Sequence, residues 1–486
     1  MTNHISLPVA ELKTVLPGFN KIIGKRLTLP VLGFVRVERN KEGEVSLQAT
    51  NLDDTATFRI KEVTEGVPIT CLVPMEPLAR IVKGASNKDH VLLVDEGKKG
   101  LKLRSFLGGN QIDQPLERID LKEWPPAPEI TSTAIKLDPG FGEAFQQAFE
   151  CASDDSGRYM LNGVCLDVTE KKAHYVVSTN TRVLFSANTF SFDLPQSIVI
   201  PSHRFLGWNG WMETDECWLT YQPGKDKDGG WIQLRNGNWT IITKAVEGQY
   251  PNWRGIIPAN RPKAAIQLNE AAVKTLLEVL PKLPGEQENN SPVGLRVTGL
   301  KLMIEARNKE SEKPSVIPIP EATVTGKDMM VKVNRHYLIQ ALKYGLTEIT
   351  HSEPAGSETP VLVCQSSSRK LVMGLIVEVR DQPQPASSAA TTETKEPTTT
   401  NNERTPMRRT AATSPVETNS ETRASESAVK KAMEQIEKIK DTLRGVVNEF
   451  NDVLTTLKQA EKEKKVTEKE IESIRSTLRS LQRVQI

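Results

Sequence analysis

The chain has 486 residues with 63 Lys and Arg against 61 Asp and Glu, a formal net charge of +2, so any surface for a polyanion has to be local. Hydrophobic residues make up 38% and aromatics only 5%, low enough that part of the chain is expected to stay outside a packed core. Five scattered cysteines without a CxxC pair argue against a disulfide framework or a zinc site, the opening MTNHISLPVAELK lacks the pattern of a secretory signal, and no apolar run approaches a bilayer span; a soluble, cytoplasmic protein is expected.

In chain order, residues 7–23 (LPVAELKTVLPGFNKII) place apolar side chains three and four apart and predict a helix. An alternating strand opens at Gly33 in PVLGFVRV, and a second ends at Asn51 in SLQATNLD, where Asn suits a strand-end turn. A second helix is expected at 73–84 (VPMEPLARIVKG), with Pro just inside its start. The same order then returns: a helix at 138–152, a strand opening at Gly163 in YMLNGVCLDV, Asn180 in VVSTNTR, and a helix expected at 200–211 (IPSHRFLGWNGW), again with Pro at its start. It returns once more with a helix at 269–283, Gly294, Asn308 and a helix at 333–345.

The glycines lie 130 and 131 residues apart and the asparagines 129 and 128, while EWPP (123–126) and QYPN (249–252) close the first two units alike. Five landmarks in one order and one period are a poor match to chance, and the period far exceeds the roughly 20–50 residues of a solenoid repeat. The reading is three copies of one α+β domain, helices on one face and sheets on the other, at 1–128, 129–260 and 261–381.

From Gln382 the composition turns to Thr, Ser, Pro and Glu, which predicts a disordered linker over 382–426. A coiled-coil helix is expected over 427–485. Val429, Ala432, Ile436, Ile439, Leu443, Val446, Phe450, Val453, Leu457 and Ala460 keep a heptad register that resumes at Ile471, Ile474, Leu478 and Leu481. The polar KEKKVTEKE (462–470) is either a weak stretch of one helix or the bend of a hairpin. The seam could pair two copies of the tail, recruit an unidentified partner, or dock back on the same chain.

GKDKDGG (224–230) resembles a calcium loop but has Gly224 at the first ligand position and no closing Glu, so a hairpin turn is expected. The six histidines are dispersed, Asp53-Asp54 and Asp154-Asp155 read as turn residues, and no P-loop or dinucleotide glycine pattern occurs. Six of the seven tryptophans fall between Trp208 and Trp253, where core filling of the second domain is the expectation. No catalytic constellation, cofactor site or metal site is expected.

RLTLPVLGFVRV (26–37), ATNLD (49–53), RYMLNGVCLDV (158–168), STNTR (178–182) and TKAVEGQYPNWRGIIP (243–258) together resemble the bacterial β sliding clamps, the processivity subunits of DNA polymerase III, over about residues 1–380. The resemblance implies a non-catalytic DNA-replication protein. It would be a head-to-tail homodimer closing a ring around double-stranded DNA, with helices lining the hole and basic side chains meeting phosphates without reading bases. Carried onto this sequence, the DNA-facing positions are Lys13, Lys21, Lys25, Arg26, Arg80, Lys83, Arg204, Lys274, Lys282, Arg335 and Lys343. The helix FGEAFQQAFECASDDSG departs from this pattern: it carries Glu143, Glu150, Asp154 and Asp155 and no cation.

The resemblance also implies a groove between domains two and three for short peptides of DNA polymerase and clamp-loader subunits. The implied groove residues are Arg158, Leu161, Thr179, Arg182, Val183, Pro251, Ile256, Asn334 and Tyr337. The run Thr179-Asn180-Thr181-Arg182-Val183-Leu184 is one residue shorter than in the family, Gly255 replaces a basic residue, and either Gly374 or Glu378 in LVMGLIVEVRD (371–381) falls at a family proline. The acidic helix and altered groove keep an alternative open: a clamp-derived scaffold that does not slide and acts through its tail.

Overall fold

The structure is a computed structural model that describes residues 3–24, 27–97, 100–224, 229–309, 313–352 and 360–376. The chain divides at Gln382, where the composition changes. The expected linker and coiled coil lie outside the described residues.

The first run of elements is β1 (Asn3–Pro8), α1 (Val9–Ile22), β2 (Phe34–Arg39), β3 (Val45–Thr50), β4 (Asp54–Arg59), β5 (Ile69–Pro74), α2 (Met75–Gly84), β6 (His90–Asp95), β7 (Leu101–Leu107) and β8 (Asn110–Leu116). The second is β9 (Ile135–Lys136), α3 (Phe141–Cys151), β10 (Gly163–Glu170), β11 (Ala173–Thr179), β12 (Val183–Phe190), β13 (Ile198–Pro201), β14 (Cys217–Gln222), β15 (Trp231–Asn236) and β16 (Trp239–Lys244). The third is β17 (Ala264–Leu268), α4 (Glu270–Val279), β18 (Pro292–Thr298), β19 (Lys301–Ala306), β20 (Ser315–Ile319), β21 (Ala322–Gly326), β22 (Met329–Asn334), α5 (Arg335–Lys343), β23 (Glu348–His351), β24 (Val361–Gln365) and β25 (Arg369–Gly374). The order repeats, with β21 added in the third run and, among the described residues, no second α-helix in the second.

That missing helix corrects the sequence expectation for 200–211. Beyond β13 the chain makes turns and one short 3-10 turn at Asn209–Trp211. Gly207 and Gly210 weaken helix propensity there. A Cβ on Gly207 would sit 2.6 Å from the Phe149 ring, and one on Gly210 would sit 2.1 Å from the Trp208 ring, so the backbone follows the aromatic packing instead. In α2, Pro74 is the N-cap and Pro77 lies in the first turn, where no helical N–H is needed.

The repeat reaches individual turns. Asn51 Oδ1 accepts from the N–H groups of Asp53 and Asp54, and Asn180 Oδ1 from those of Arg182 and Val183. The next residues, Leu52 and Thr181, are left-handed, with φ of 87° and 75°. The third asparagine departs from this: Asn308 Oδ1 accepts from Gly285 N instead. Gly163 is required by close approach, since a Cβ would lie 2.4 Å from the Ile200 carbonyl on the paired strand.

Among the described residues four antiparallel sheets result, ordered β1-β6-β7-β8, β5-β2-β3-β4-β16-β15-β14-β9, β13-β10-β11-β12-β25-β24-β23-β17-β21 and β20-β19-β18-β22. The two large sheets cross the repeat boundaries. β4 of the first run pairs with β16 of the second (Phe58 opposite Trp239), and β12 of the second pairs with β25 of the third (Val183 opposite Met373). Strands such as β2 bury every other residue, and the buried faces of α1, α3 and α4 pack into the same apolar core.

The two joints differ in chemistry. Trp239 at the first is 1% exposed, and its ring lies 4.9 Å from Phe58, 5.5 Å from Phe19, 5.1 Å from Phe205 and 5.9 Å from Trp208. A Cβ on Gly18 of α1 would come within 2.5 Å of Trp208 and 2.9 Å of Trp239, so α1 touches this cluster with bare backbone. The polar element of the first joint is small: Asp54 accepts from the Thr243 hydroxyl at 2.6 Å and stands 3.6 Å from His203. At the second joint, Arg369 of β25 donates to both carboxylate oxygens of Glu143 at 2.8 and 2.9 Å and to Gln147 at 3.2 Å. The Tyr344 hydroxyl donates to Glu150 at 2.6 Å.

Candidate functional site

A groove of about 300 Å³ opens beside the second joint. One wall is the β11–β12 turn, including Thr179, Arg182 and Val183; the other is the segment from Gly255 to Pro258. Val361 of β24 and Val372 of β25 close it, with Gly374 at the end and Ser352 at the rim. Val183, Leu184, Val361 and Val372 are buried behind the opening, while Ile256 is 46% exposed at its edge. The result is an apolar slot with a polar rim, chemistry suited to apolar side chains of an extended peptide.

The turn wall is fixed by short-range bonds. Thr179 Oγ1 donates to the Val183 carbonyl at 2.7 Å and accepts from Thr181 N at 3.1 Å. Arg158 donates to Thr181 Oγ1 at 2.9 Å, and Arg182 reaches Asn290 in the third run at 3.1 Å. The opposite wall hangs on Asp167 of β10. Its carboxylate accepts from Trp253 Nε1 at 2.7 Å and Arg254 at 2.6 Å, and Arg254 also pairs with Glu170. The guanidinium lies 4.4 Å from the Trp253 ring centroid. Burial pushes the Asp167 carboxyl up, but hydrogen bonds from Thr169, Trp253 and Arg254 outweigh it and hold the group at about 2.

Of the groove residues expected from sequence, Thr179, Arg182, Val183 and Ile256 line this slot. Arg158 touches it through Thr181. The others do not line it: Leu161 is buried, Pro251 is exposed ahead of the wall, Asn334 caps α5 by accepting from His336 N, and Tyr337 packs against the main core. Sequence reading missed Ile257, Pro258, Ser352, Val361 and Val372. Val361 and Val372 come from the paired strands β24 and β25, and the pairing of β25 with β12 brings them beside the β11–β12 turn of the second run.

Among the expected DNA-facing cations, Arg80, Lys83, Arg204 and Lys274 are exposed and Lys21 is half-buried. Lys25 and Arg26 lie outside the described residues. Lys13 donates to the Ala85 carbonyl and to Asn87, Arg80 pairs with Glu76 at 2.7 Å, and Lys282 pairs with Glu278 at 3.4 Å. Arg335 is a correction. It is 0% exposed, and its guanidinium donates to the carbonyls of Leu280, Leu283, Pro284, Ser291 and Pro292. It satisfies the chain ends around α4 and cannot face a ligand.

Three of the four acids of the middle segment have partners within the fold. Glu143 is held below the ordinary carboxyl range by Arg369, and Glu150 accepts from Tyr344. Asp155 caps the 3-10 run Ser156–Leu161 and pairs with Arg158 at 3.5 Å. Trp208, Trp211 and Trp239 fill the core as expected, whereas Trp253 belongs to the groove-side cluster and Trp218 and Trp231 are half-buried outside both.

No known family model matches the chain. It is 25% identical over 323 residues to the beta sliding clamp of Escherichia coli K12, spanning 66% of this chain and 84% of that relative, and 24% identical over 330 residues to the beta sliding clamp of Salmonella typhimurium, with the same coverage. Among solved structures, the DNA polymerase sliding clamp of Bacillus subtilis superposes with a TM-score of 0.64 at 18% identity, covering 78% of this chain and 100% of that one. The Bartonella birtlesii sliding clamp bound to griselimycin does so with a TM-score of 0.63 at 16% identity and the same coverage. The repeated elements, the four sheets and these likenesses agree: the chain is a beta-sliding-clamp-like protein with the sliding clamp fold.

Proposed function

We propose that this protein is a DNA sliding clamp, a non-catalytic processivity factor that closes around duplex DNA and tethers a DNA polymerase to it. The observation that carries the reading is the pair of unmatched strand edges. β4 and β12 are the third strands of equivalent meanders, and each pairs with the last strand of the next unit, β16 and β25. By the same equivalence β20 and β8 are the remaining halves of a third joint, and among the described residues each ends its sheet. Exposed Ile112 on β8, Phe106 on β7 and Val316 on β20 supply apolar contacts. A second copy satisfies both edges head to tail, and two copies of three units close the ring.

In this reading the units are 1–128, 129–260 and 261–381. Lys21, Arg80, Lys83, Arg204, Lys274 and Lys282 face the duplex, with Lys25 and Arg26 beside them. The groove takes peptides from polymerase and clamp-loader subunits in the cytoplasm. The linker and coiled coil beyond residue 381 add a recruitment arm. Arg369 pairs with Glu143 and the Tyr344 hydroxyl donates to Glu150, so part of the acidity that favoured a non-sliding scaffold is engaged within the fold.

Topological retention tests the proposal. Protein assembled on a covalently closed plasmid with its clamp loader should stay bound through gel filtration at high salt and be released when the plasmid is cut once. Release that ignores linearisation contradicts it. Griselimycin is bound by the Bartonella birtlesii clamp; in this reading the groove of this chain takes it too, and Ile256→Asp should then weaken its binding about tenfold, as expected when a charge enters an apolar contact.

A further inference from the structure

The groove wall from Gly255 to Pro258 is suspended between two anchors. Upstream, buried Asp167 of β10 holds two consecutive residues: one carboxylate oxygen accepts from Trp253 Nε1 at 2.7 Å and from Arg254 at 2.6 Å. Trp253 is packed in one apolar cluster with Leu184, Val361 and Val372, which line the groove. Arg254 also pairs with Glu170 at 2.6 Å, and its guanidinium lies 5.1 and 4.4 Å from the Tyr175 and Trp253 ring centroids. Downstream, the Ser352 hydroxyl donates to the Asn260 carbonyl at 3.4 Å. Among the described residues the backbone between the anchors closes on itself, Ile257 N donating to the Arg254 carbonyl at 3.2 Å. Gly255 brings no side chain, and the nearest atom to a Cβ placed there is Asn252 Nδ2 at 3.8 Å.

We propose that Asp167 is a positioning residue of the peptide groove: it does not line the slot, and it sets ligand affinity by fixing the Gly255–Pro258 wall through Trp253 and Arg254. The inference rests on the groove reading and adds which buried group gives the groove its shape. A peptide gains from the slot only what is left after the wall has been ordered, so a wall ordered beforehand binds more tightly. The downstream contact cannot supply that order, since a hydroxyl bond at 3.4 Å lies beyond the usual range of about 2.5–3.0 Å and is weak. The upstream anchor combines two short bonds to an ionised acceptor, each roughly twice as strong as a neutral one. With no side chain to pack at Gly255, the course of the wall past Arg254 follows the direction in which Trp253 and Arg254 are held. Loss of the carboxylate charge releases Arg254 and lets Ile256 and Ile257 move away from the β11–β12 turn across the slot.

The test is griselimycin binding to the full chain by titration calorimetry, with the fold of each variant checked by circular dichroism. D167N keeps an acceptor for Trp253 and loses the charge that holds Arg254; it should bind about tenfold more weakly, the size expected when a segment is ordered only on binding. W253F deletes the indole donor and keeps an aromatic ring; it should bind about threefold more weakly, and it carries the test if D167N does not fold. W239F at the first joint lowers stability without touching the groove and should bind as wild type does. Unchanged affinity in folded D167N, or in W253F where D167N does not fold, overturns the inference. An equal loss in W239F also overturns it, because the effect would then follow stability alone. Either result with a wild type that binds griselimycin overturns this inference and leaves the groove reading standing; a wild type that does not bind it overturns both.

Discussion

The two joints within the chain share one strand geometry and use opposite chemistry. Where β4 meets β16, Trp239 sits in an aromatic cluster that α1 reaches through Gly18. Where β12 meets β25, the contacts across the helices are an Arg369–Glu143 pair and a Tyr344–Glu150 hydrogen bond, with an apolar groove alongside. Backbone pairing defines the joint, and side chains set how it responds to its surroundings. The first should be indifferent to salt, with only its buried Asp54–His203 contact responding to acid; the second should respond to both, and it is the one beside the proposed peptide groove.

The largest effect should come from Trp239→Ala. Removing a fully buried ring that touches four others costs about 3–5 kcal/mol, read as a lower urea midpoint for the first two units and unaffected by added salt. A midpoint that recovers in high salt would show that the first joint is not apolar in its energetics.

Asp167→Asn comes next. It leaves Arg254 short of a charge partner beside Trp253 and should cost about 2–3 kcal/mol. The same group gives the groove wall an acid limb. Its folded value of about 2 lies below the ordinary aspartate value of 3.8, so its stabilisation is present in full above about pH 4 and is lost as the pH falls through about 2. Wild-type protein should show this limb in acid titration of Trp253 fluorescence, and the variant should lack it. Identical acid profiles would remove Asp167 from the account.

The smallest effect belongs to Arg369→Ala. Glu143 is largely exposed, so solvent screening limits the loss to about 1 kcal/mol, and the loss should shrink further as salt rises. Because Arg369 holds the Glu143 carboxyl low, the pair stabilises at neutral pH and fades as Glu143 protonates in acid. A salt-independent loss would assign Arg369 a packing role instead.

Sequence alone exposed the threefold repeat because glycines and asparagines mark backbone needs. Gly163 has no room for a Cβ, and Asn51 and Asn180 hold the same left-handed turn. Helical periodicity located α1, α3, α4 and α5 to within a few residues. It failed at 200–211, where close aromatic packing against Gly207 and Gly210 overrode the pattern. Groove residues on the β11–β12 turn were legible because they sit in one short motif. Val361 and Val372 were not, since only strand pairing across units brings them there. Arg335 misled because a helix-borne arginine looks the same in sequence whether it meets solvent or five carbonyls.

The most direct test of the account is the number of chains in the assembly and its response to the two open edges. Sedimentation velocity of the full chain should give a dimer. Ile112→Lys on β8 and Val316→Lys on β20, both at exposed positions, should each give a folded monomer. A wild-type monomer, or a dimer that survives both substitutions, would contradict closure through β8 and β20.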